Sequence, residues 1–506
     1  MGSMQGQSVL VLGLGASGLA MARWCARLGA TVTVADTRSA PPQLAALQES
    51  VPAARFVSGA LDAALLESGT RFDALFKSPG LAPKDMAGLL QAARAACIAV
   101  RGELSLFAQG LRDLQANSSY APKVLAVTGT NGKTTVTSLT GHLLRWAGLS
   151  VGVAGNIGPT LLDTLAQAID DAALPQAWVL ELSSFQLDGV DDFEPTAAVV
   201  LNLTQDHLDW HADMAEYGAA KTRIFGRDGL MVLNREDAAV MAMLPEPVRV
   251  KLQKPQYRAH VTFGCDLPKR PGDFGLEEVN GMVWLVRAHE ADETVKRRRD
   301  EAEEIHLQRL MPADALRIRG RHNASNALAA LALCAAAGCT LAPILYGLRE
   351  YRGEPHRVES VVVIHDVEFF DDSRGTNVGA TVAALRGLGE ERKLVLILGG
   401  VGKGQDFSPL ADPVARYARA VVLFGQDAPV IHAALETTGV PLLDASDMGH
   451  AVAQAQARAH AGDAVLMSPA CASFDMFRNY EHRAQVFCEA VRALAVEAGV
   501  DMEGQG

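Results

Sequence analysis

Between Leu125 and Val136 the chain reads LAVTGTNGKTTV. A β-branched run ends in two closely spaced glycines, a lysine and a pair of threonines. Few folds accommodate that order. An apolar strand must enter a tight turn that glycine tolerates best, and a helix must then begin with its free N–H groups converging on the turn. A phosphate-cradling loop usually reads G-x-x-x-x-G-K-[ST]. Here Val127 stands where the first glycine belongs, and Gly129 follows two residues later. Converging N–H groups and a cation matter more to such a loop than one particular glycine. We therefore read Gly129, Thr130, Asn131, Gly132, Lys133, Thr134 and Thr135 as an ATP-binding loop. Lys133 supplies charge to the β- and γ-phosphates, and Thr134 offers a hydroxyl to Mg2+. The alternative is an accidental glycine turn, against which the order strand, loop, Lys-Thr, helix argues.

The same alternation of short apolar runs and Ala/Leu-rich stretches recurs along all 506 residues. It predicts βαβ units on parallel sheets, and the length suggests about three domains. SVLVLGLG, TVTVAD and FDALFKSPG are the strands of a first set. A polar stretch, LQANSSYAPK, reads as a linker and puts a boundary near residues 115–122. KVLAVTG, AWVLELSS and TAAVVLNLT begin a second set, interrupted from about 253 to 315 by a polar, Pro/Gly-bearing region. Its charge run KRRRDEAEE reads as a solvated helix face. A third set, starting near Glu354, carries KLVLILGG, AVVLFG and DAVLMSPA. The expected fold class is α/β, with three domains in series: Rossmann-like N-terminal over 5–117, central P-loop ATPase-like over 118–353, and Rossmann-like C-terminal over 354–506.

Charge and composition exclude several function classes. A net charge of -12 repels nucleic acid and anionic membrane over most of the surface. No apolar run approaches the ~18 residues of a membrane helix, and the apolar start lacks the basic lead-in of a signal peptide. The seven cysteines include no CxxC, so neither a disulfide framework nor a zinc site is expected. A cytoplasmic monomer is the expectation. Met1 to Met4 read as a cloning remnant ahead of a native start.

Other sites stand out by position. Gly13-Leu-Gly-Ala-Ser-Gly18 follows a strand and precedes a helix, and Asp36 ends the next strand. That is the dinucleotide fingerprint, which specifies a pyrophosphate-bearing ligand without specifying NAD. A bare βα turn is the alternative, and an NAD-dependent oxidoreductase would leave the phosphate loop unexplained. Glu181 ends an apolar strand, as a carboxylate reaching Mg2+ or simply as an exposed terminal acid. His207 follows another strand at the same sheet edge as the phosphate loop, where a histidine is more often structural than a ligand. Lys221, taken alone, is a surface lysine. Asn323 and Asn326 start a helix three residues apart, either to bond a purine edge or to cap the helix. Arg374, Thr376, Lys403 and Ser473 are what a small dicarboxylate requires. No Ser or Thr follows Lys403 in the Gly402–Gly404 turn, which favours a carboxylate there over a second phosphate.

Taken together, TGTNGKTT, GNIG (155–158), ELSSFQL (181–187), NLTQDHLDWH (202–211), AAKTRIF with Lys221, GRHNASNALAA (320–330), EPHRVE (354–359), DDSRGTN (371–377), LGGVGKGQDFSPL (398–410) and SPACASFDMFRNYEHR (468–483) resemble the Mur ligase family. That family includes folylpolyglutamate synthases and other ATP-dependent amide ligases. The resemblance covers nearly the whole chain outside 253–315. It implies a ligase that uses ATP to join D-glutamate to UDP-N-acetylmuramoyl-L-alanine through an acyl phosphate. DDSRGTN and SPACASFDMF favour D-glutamate, and no DNPR-like motif of the diaminopimelate-adding enzymes is present.

By the same resemblance one Mg2+ lies between Thr134 and Glu181, and a second at His207 with a carbamylated Lys221. Lys133, Asn156, His207 and Lys221 form the catalytic set. Asn323, Asn326 and the hinge residue Arg357 join the ATP loop. Gly15, Ala16, Ser17, Gly18, Asp36, Thr37, Arg38, Ser78 and Gly80 surround the UDP group. Arg374, Thr376, Lys403, Ser473 and Tyr480 hold D-glutamate. Arg374 stands where the family often has Lys, and Tyr480 where it often has Phe, which leaves the geometry of acid binding open. The third domain is expected to swing, because Arg357 and Lys403 must approach an ATP held on another domain. Another ligase of the superfamily and a nucleotide-sensing regulatory ATPase remain as alternatives.

Overall fold

Each of the three expected sets forms a sheet of its own, and in each the functional loops leave the carboxyl ends of the strands. The computed structural model describes residues 4–67, 71–208, 210–248, 255–291, 305–390 and 392–500. Residues 1–3 and the whole KRRRDEAEE run, 296–304, lie outside the described residues.

The first sheet is five-stranded and parallel, in the order Arg55–Ser58, Thr31–Asp36, Ser8–Leu12, Ala74–Lys77, Ala99–Arg101. Its strand order reverses beside Ser8–Leu12, so Gly13 to Gly18 fall at the switch point where such sheets bind ligands. The turn has no room for side chains. A Cβ on Gly18 would lie 1.9 Å from the Gly13 carbonyl oxygen, and Gly13 itself has φ +83°. The helix Ala16–Arg27 can begin directly against the strand only on those terms.

The central sheet has nine strands. Lys123–Thr128, which feeds the phosphate loop, lies between Ala177–Glu181 and Ala197–Val200, all parallel. That placement sets the end of one neighbour, Glu181, and the continuation of the other, 201–207, on either side of the loop.

The region 253–315 corrects the sequence reading. It does not interrupt the domain but extends its sheet. His260–Phe263 joins in parallel, and Phe274–Val279, Met282–Glu290 and Ile305–Pro312 follow, the last three as an antiparallel meander. Phe263, Phe274, Leu276, Leu285 and Met311 are buried in one core with the helix Arg321–Ala336. Only part of each strand is buried, and Glu278, Met282 and Glu290 are exposed, so the segment reads as polar although it contributes to the core. The predicted linker is also shorter than expected. Helix Glu103–Ser118 takes in its first half, and only 119–122 separate that helix from Lys123.

The third sheet has six strands, in the order Glu359–Ile364, Val367–Asp371, Ala464–Met467, Leu394–Gly399, Ala418–Phe424, Leu442–Asp444. Only the first pair is antiparallel. Arg374, Ser473 and Lys403 therefore come from loops after three adjacent strands, at one edge of the sheet.

The first two domains share a core. Trp24, Phe107, Leu165 and Trp178 belong to one buried cluster, with Phe107 edge-on to Trp178 at 5.3 Å between ring centroids. Arg27 grips Asp170 across that boundary with two hydrogen bonds of 2.8 and 2.6 Å. The third domain meets the second through helix Val378–Gly389, which packs on Arg321–Ala336. No helix among the described residues is long and apolar enough to cross a membrane.

Candidate functional site

The phosphate loop is pinned from below by the strand beside it. Thr130 N donates to Asn202 O at 3.0 Å, and Asn131 and Asn202 exchange a pair of hydrogen bonds, 2.8 and 3.1 Å. Gly129 and Gly132 have φ +152° and +83°. A Cβ on Gly132 would sit 2.7 Å from Asn326 Oδ1, so the asparagine approaches the loop because glycine leaves it space. Val127 is fully buried within the strand, which accounts for a branched residue where a glycine was expected. The turn starts after it, at Gly129.

Two lysines converge on this loop. Lys133 Nζ donates to Gly129 O at 2.9 Å and Thr130 O at 2.7 Å. Burial pulls its pKa down, opposed by Glu181 and Asp206 and assisted by Arg357. Lys221 is 1% exposed, which overturns its reading as a surface lysine. Helix Met214–Thr222 delivers its Nζ to Thr128 Oγ1 at 3.2 Å and to Gly129 O at 2.9 Å, above the Tyr217 ring at 4.6 Å. Burial, with Lys133 adding repulsion, holds its pKa well below the usual lysine range.

Glu181 is 2% exposed, not a solvated terminal acid. Its Oε1 accepts from Asn156 Nδ2 at 2.7 Å, while Oε2 is buried with no hydrogen-bond partner among the described residues. A buried carboxylate oxygen left unpaired is costly unless a cation faces it. Thr134, buried at the start of the adjacent helix, provides a second oxygen of the kind Mg2+ prefers. His207 lies close by, in edge contact with Phe185 at 4.7 Å and beside Asp206, whose carboxylate is 3.6 Å from its Nε2.

Asn323 and Asn326 are not helix caps. Gly320 holds that position with no side-chain bond. Asn323 Nδ2 donates to Arg319 O and Asn326 Nδ2 to Asn323 Oδ1, so the two amides form one row along the wall of a cavity of about 470 Å³. The floor is Gly132 and Thr135, and the roof is Asp372, Ala380 and Gly387 of the third domain. Arg357 crosses the boundary as well, donating from Nη2 to Thr134 Oγ1 at 2.9 Å. Lys403, by contrast, is exposed on its turn.

At the third domain's edge, Arg374 lies over the Tyr480 ring at 4.9 Å. The two departures from the family pattern are thus partners in one cation–π contact. Ser473 is 2% exposed, and Thr376 N donates to Arg374 O.

Of the residues expected around the UDP group, Asp36 and Arg38 are bonded to each other. The Asp36 carboxylate takes Leu14 N at 2.7 Å and Arg38 through N, Nε and Nη2 at 2.8–2.9 Å. The Arg38 bonds hold its pKa far below the usual carboxylate range. Ser78 Oγ donates to Gly13 O at 2.9 Å. Ala16 is exposed and Gly15 partly exposed at the helix start.

Sequence reasoning missed four groups. Tyr217 lies one turn before Lys221, a spacing that pairs them on any helix. Asp206 is next to His207 in the quoted motif. Arg483, fully buried, donates to Ser373 Oγ, Ser373 O and Cys471 O and so ties together the loops that follow Val367–Asp371 and Ala464–Met467. The fourth is Asp372, whose carboxylate accepts from Ser468 Oγ at 2.7 Å. Burial raises its pKa from 3.8 to about 7. Apart from these four, His356, Glu359 and Asp371 cluster closely enough to hold a metal, but the His356 ring already bonds Asp371 through Nδ1 at 2.7 Å and its backbone N donates to Glu359 at 2.8 Å.

Asp372 carries a testable consequence. The folded chain holds this proton more tightly than the unfolded chain, so its contribution to stability is present below 3.8 and fades as pH rises through about 7. Asp372→Asn is expected to flatten the pH dependence of urea unfolding across that window. An unchanged slope would show that the carboxyl is ionised throughout.

Comparison with known proteins agrees with this geometry. The chain matches the Mur ligase MurD-like N-terminal domain over residues 7–102, the Mur ligase middle domain over 127–334, and the Mur ligase glutamate ligase domain over 356–471. Proteins named UDP-N-acetylmuramoylalanine--D-glutamate ligase are similar throughout. That of Albidiferax ferrireducens is 71% identical, covering 100% of this chain and 99% of its own. That of Polaromonas sp. is 58% identical, covering 98% and 99%. Among solved structures, MurF ligase from Thermotoga maritima in complex with ADP aligns at TM-score 0.56 and 16% identity, over 97% of this chain and 96% of that one. UDP-N-acetylmuramate-alanine ligase MurC from the same organism aligns at TM-score 0.52 and 19% identity, over 96% and 99%. With three domain matches in series and a relative 71% identical from end to end, the chain belongs to the Mur ligase family.

Proposed function

We propose that the chain is an ATP-dependent acid–amino-acid ligase that joins D-glutamate to the L-alanyl carboxylate of UDP-N-acetylmuramoyl-L-alanine, a step of peptidoglycan precursor synthesis. The observation that carries this reading is the convergence of the Lys133 phosphate loop, the unpaired Glu181 oxygen and Arg357 of the third domain on one spot. Relatives 71% and 58% identical over almost the whole chain, named for that reaction, support it.

A carboxylate resists attack by an amine until one of its oxygens is made a leaving group. The L-alanyl carboxylate oxygen attacks the γ-phosphorus of ATP, the bond from phosphorus to the β-bridging oxygen breaks, and ADP departs. The D-glutamate amine then attacks the carbonyl carbon and loses a proton. The tetrahedral intermediate expels inorganic phosphate, which keeps the former carboxylate oxygen. Lys133 and the loop N–H groups stabilise charge on the phosphates, and Arg357 adds a cation from the other side. Asn323 and Asn326 face the adenine, and the Gly13–Gly18 turn with Asp36, Arg38 and Ser78 receives the UDP group. Arg374 and Lys403 pair with the D-glutamate carboxylates, with Thr376, Ser473 and Tyr480 beside them.

Thr134, Glu181, His207 and Lys221 are the residues that would hold Mg2+, which supplies charge neutralisation between phosphates and carboxylate. Lys221 fits that set only as a carbamate, since its ammonium form would repel a cation, and its suppressed basicity leaves the neutral amine that adds CO2. Asn156 keeps Glu181 aimed. We take the working form to be a cytoplasmic monomer.

The acyl phosphate is tested by oxygen transfer. With the L-alanyl carboxylate labelled by 18O, one labelled oxygen is expected in each phosphate released. Unlabelled phosphate would exclude the acyl phosphate.

A further inference from the structure

The reaction just proposed requires the acid-binding loop to stand beside the phosphate loop when the acyl phosphate is attacked, and one side chain spans the two. Asn377 ends the loop that carries Arg374 and Thr376 and begins helix Val378–Gly389. Its Oδ1 accepts from Ala380 N at 2.8 Å, capping that helix. Its Nδ2 faces the other domain, donating to Asn131 Oδ1 and Asp206 Oδ2, each at 3.3 Å. Asn131 lies within the phosphate loop, and Asp206 precedes His207. The seat is close because Gly379 follows. A Cβ there would fall 2.8 Å from Thr204 Oγ1 and 3.0 Å from Asn131 Nδ2.

Resting on the ligase reading, we infer that Asn377 is a positioning residue that ties the acid-binding loop to the phosphate loop, so that amine attack is confined to the closed arrangement. An amide suits the place because it accepts on the helix side and donates twice on the other. No other side chain of its size does both. A carboxylate would keep the cap, lose both donors and stand against Asp206.

Asn377→Asp tests this directly. The variant is expected to melt with the wild type, because the cap survives. Amide formation should fall by about 10- to 100-fold, the KM for D-glutamate should rise, and more than one phosphate should be released per amide. Its scattering profile should also be the more extended of the two. Gly379→Ala, which adds a methyl against Thr204 and Asn131 and favours the helix, should uncouple phosphate from amide in the same way with Asn377 itself unchanged. Wild-type rates with one phosphate per amide in either variant would overturn the inference. If the wild type itself made no amide with D-glutamate, the ligase reading would fall. Scattering would still decide the tie, with an extended Asn377→Asp supporting it and superimposable profiles refuting it.

Discussion

Lys133→Ala is expected to lower the rate of amide formation by about 10³-fold, with little change in melting temperature. The side chain lies across the phosphate loop and donates to two of its carbonyls, so it is placed to pass those hydrogen bonds to phosphate oxygens as the nucleotide arrives. It cannot be replaced from nearby. Arg357 already bonds Thr134, and Lys221 is held over Thr128 and Gly129. Burial makes the cation more effective, because each interaction with phosphate is less screened there than in water. Steady-state kinetics at saturating ATP decide the matter. A kcat within a few-fold of the wild type, with only KM altered, would mean that Lys133 binds nucleotide without stabilising the transferred group.

Lys221 should be as costly to remove, for a different reason. Lys221→Met is expected to lose activity by about 10²- to 10³-fold while retaining ATP binding. The wild type should in turn lose activity when CO2 is stripped from the buffer and regain it with bicarbonate. The sign of the pH dependence follows from the burial of the amine. Only its neutral form adds CO2, and burial pushes its pKa well below the lysine range, so the modification is reached at a lower pH than for an exposed lysine and fades as pH falls. An enzyme indifferent to CO2, or a Lys221→Met variant with normal turnover, would refute the carbamate.

The difference between these lysines in the sequence is instructive. Lys133 was legible because strand, glycines, Lys-Thr and helix sit within a dozen residues, and local order alone fixes the loop. The burial of Lys221 was not, since its partners Thr128 and Gly129 lie 93 and 92 residues away and only the fold brings them together. The bond from Arg357 to Thr134 spans 223 residues; motif resemblance singled out Arg357, whereas nothing local could. The meander within 253–315 stayed hidden because its strands are buried only in part and without alternation, and their register shifts between Leu285 and Val286. Asn377 was visible as the end of DDSRGTN, yet its outward contacts depend on the docking of two domains.

The account stands or falls on the amide. ATP-dependent phosphate release should be measured with UDP-N-acetylmuramoyl-L-alanine and, in separate reactions, D-glutamate, L-glutamate, L-alanine, meso-diaminopimelate or no amino acid, with the nucleotide product identified by mass. Release with D-glutamate alone, matched by a product heavier by one glutamyl residue, is the predicted result. Equal release with every amino acid, or release without any amide, would contradict it.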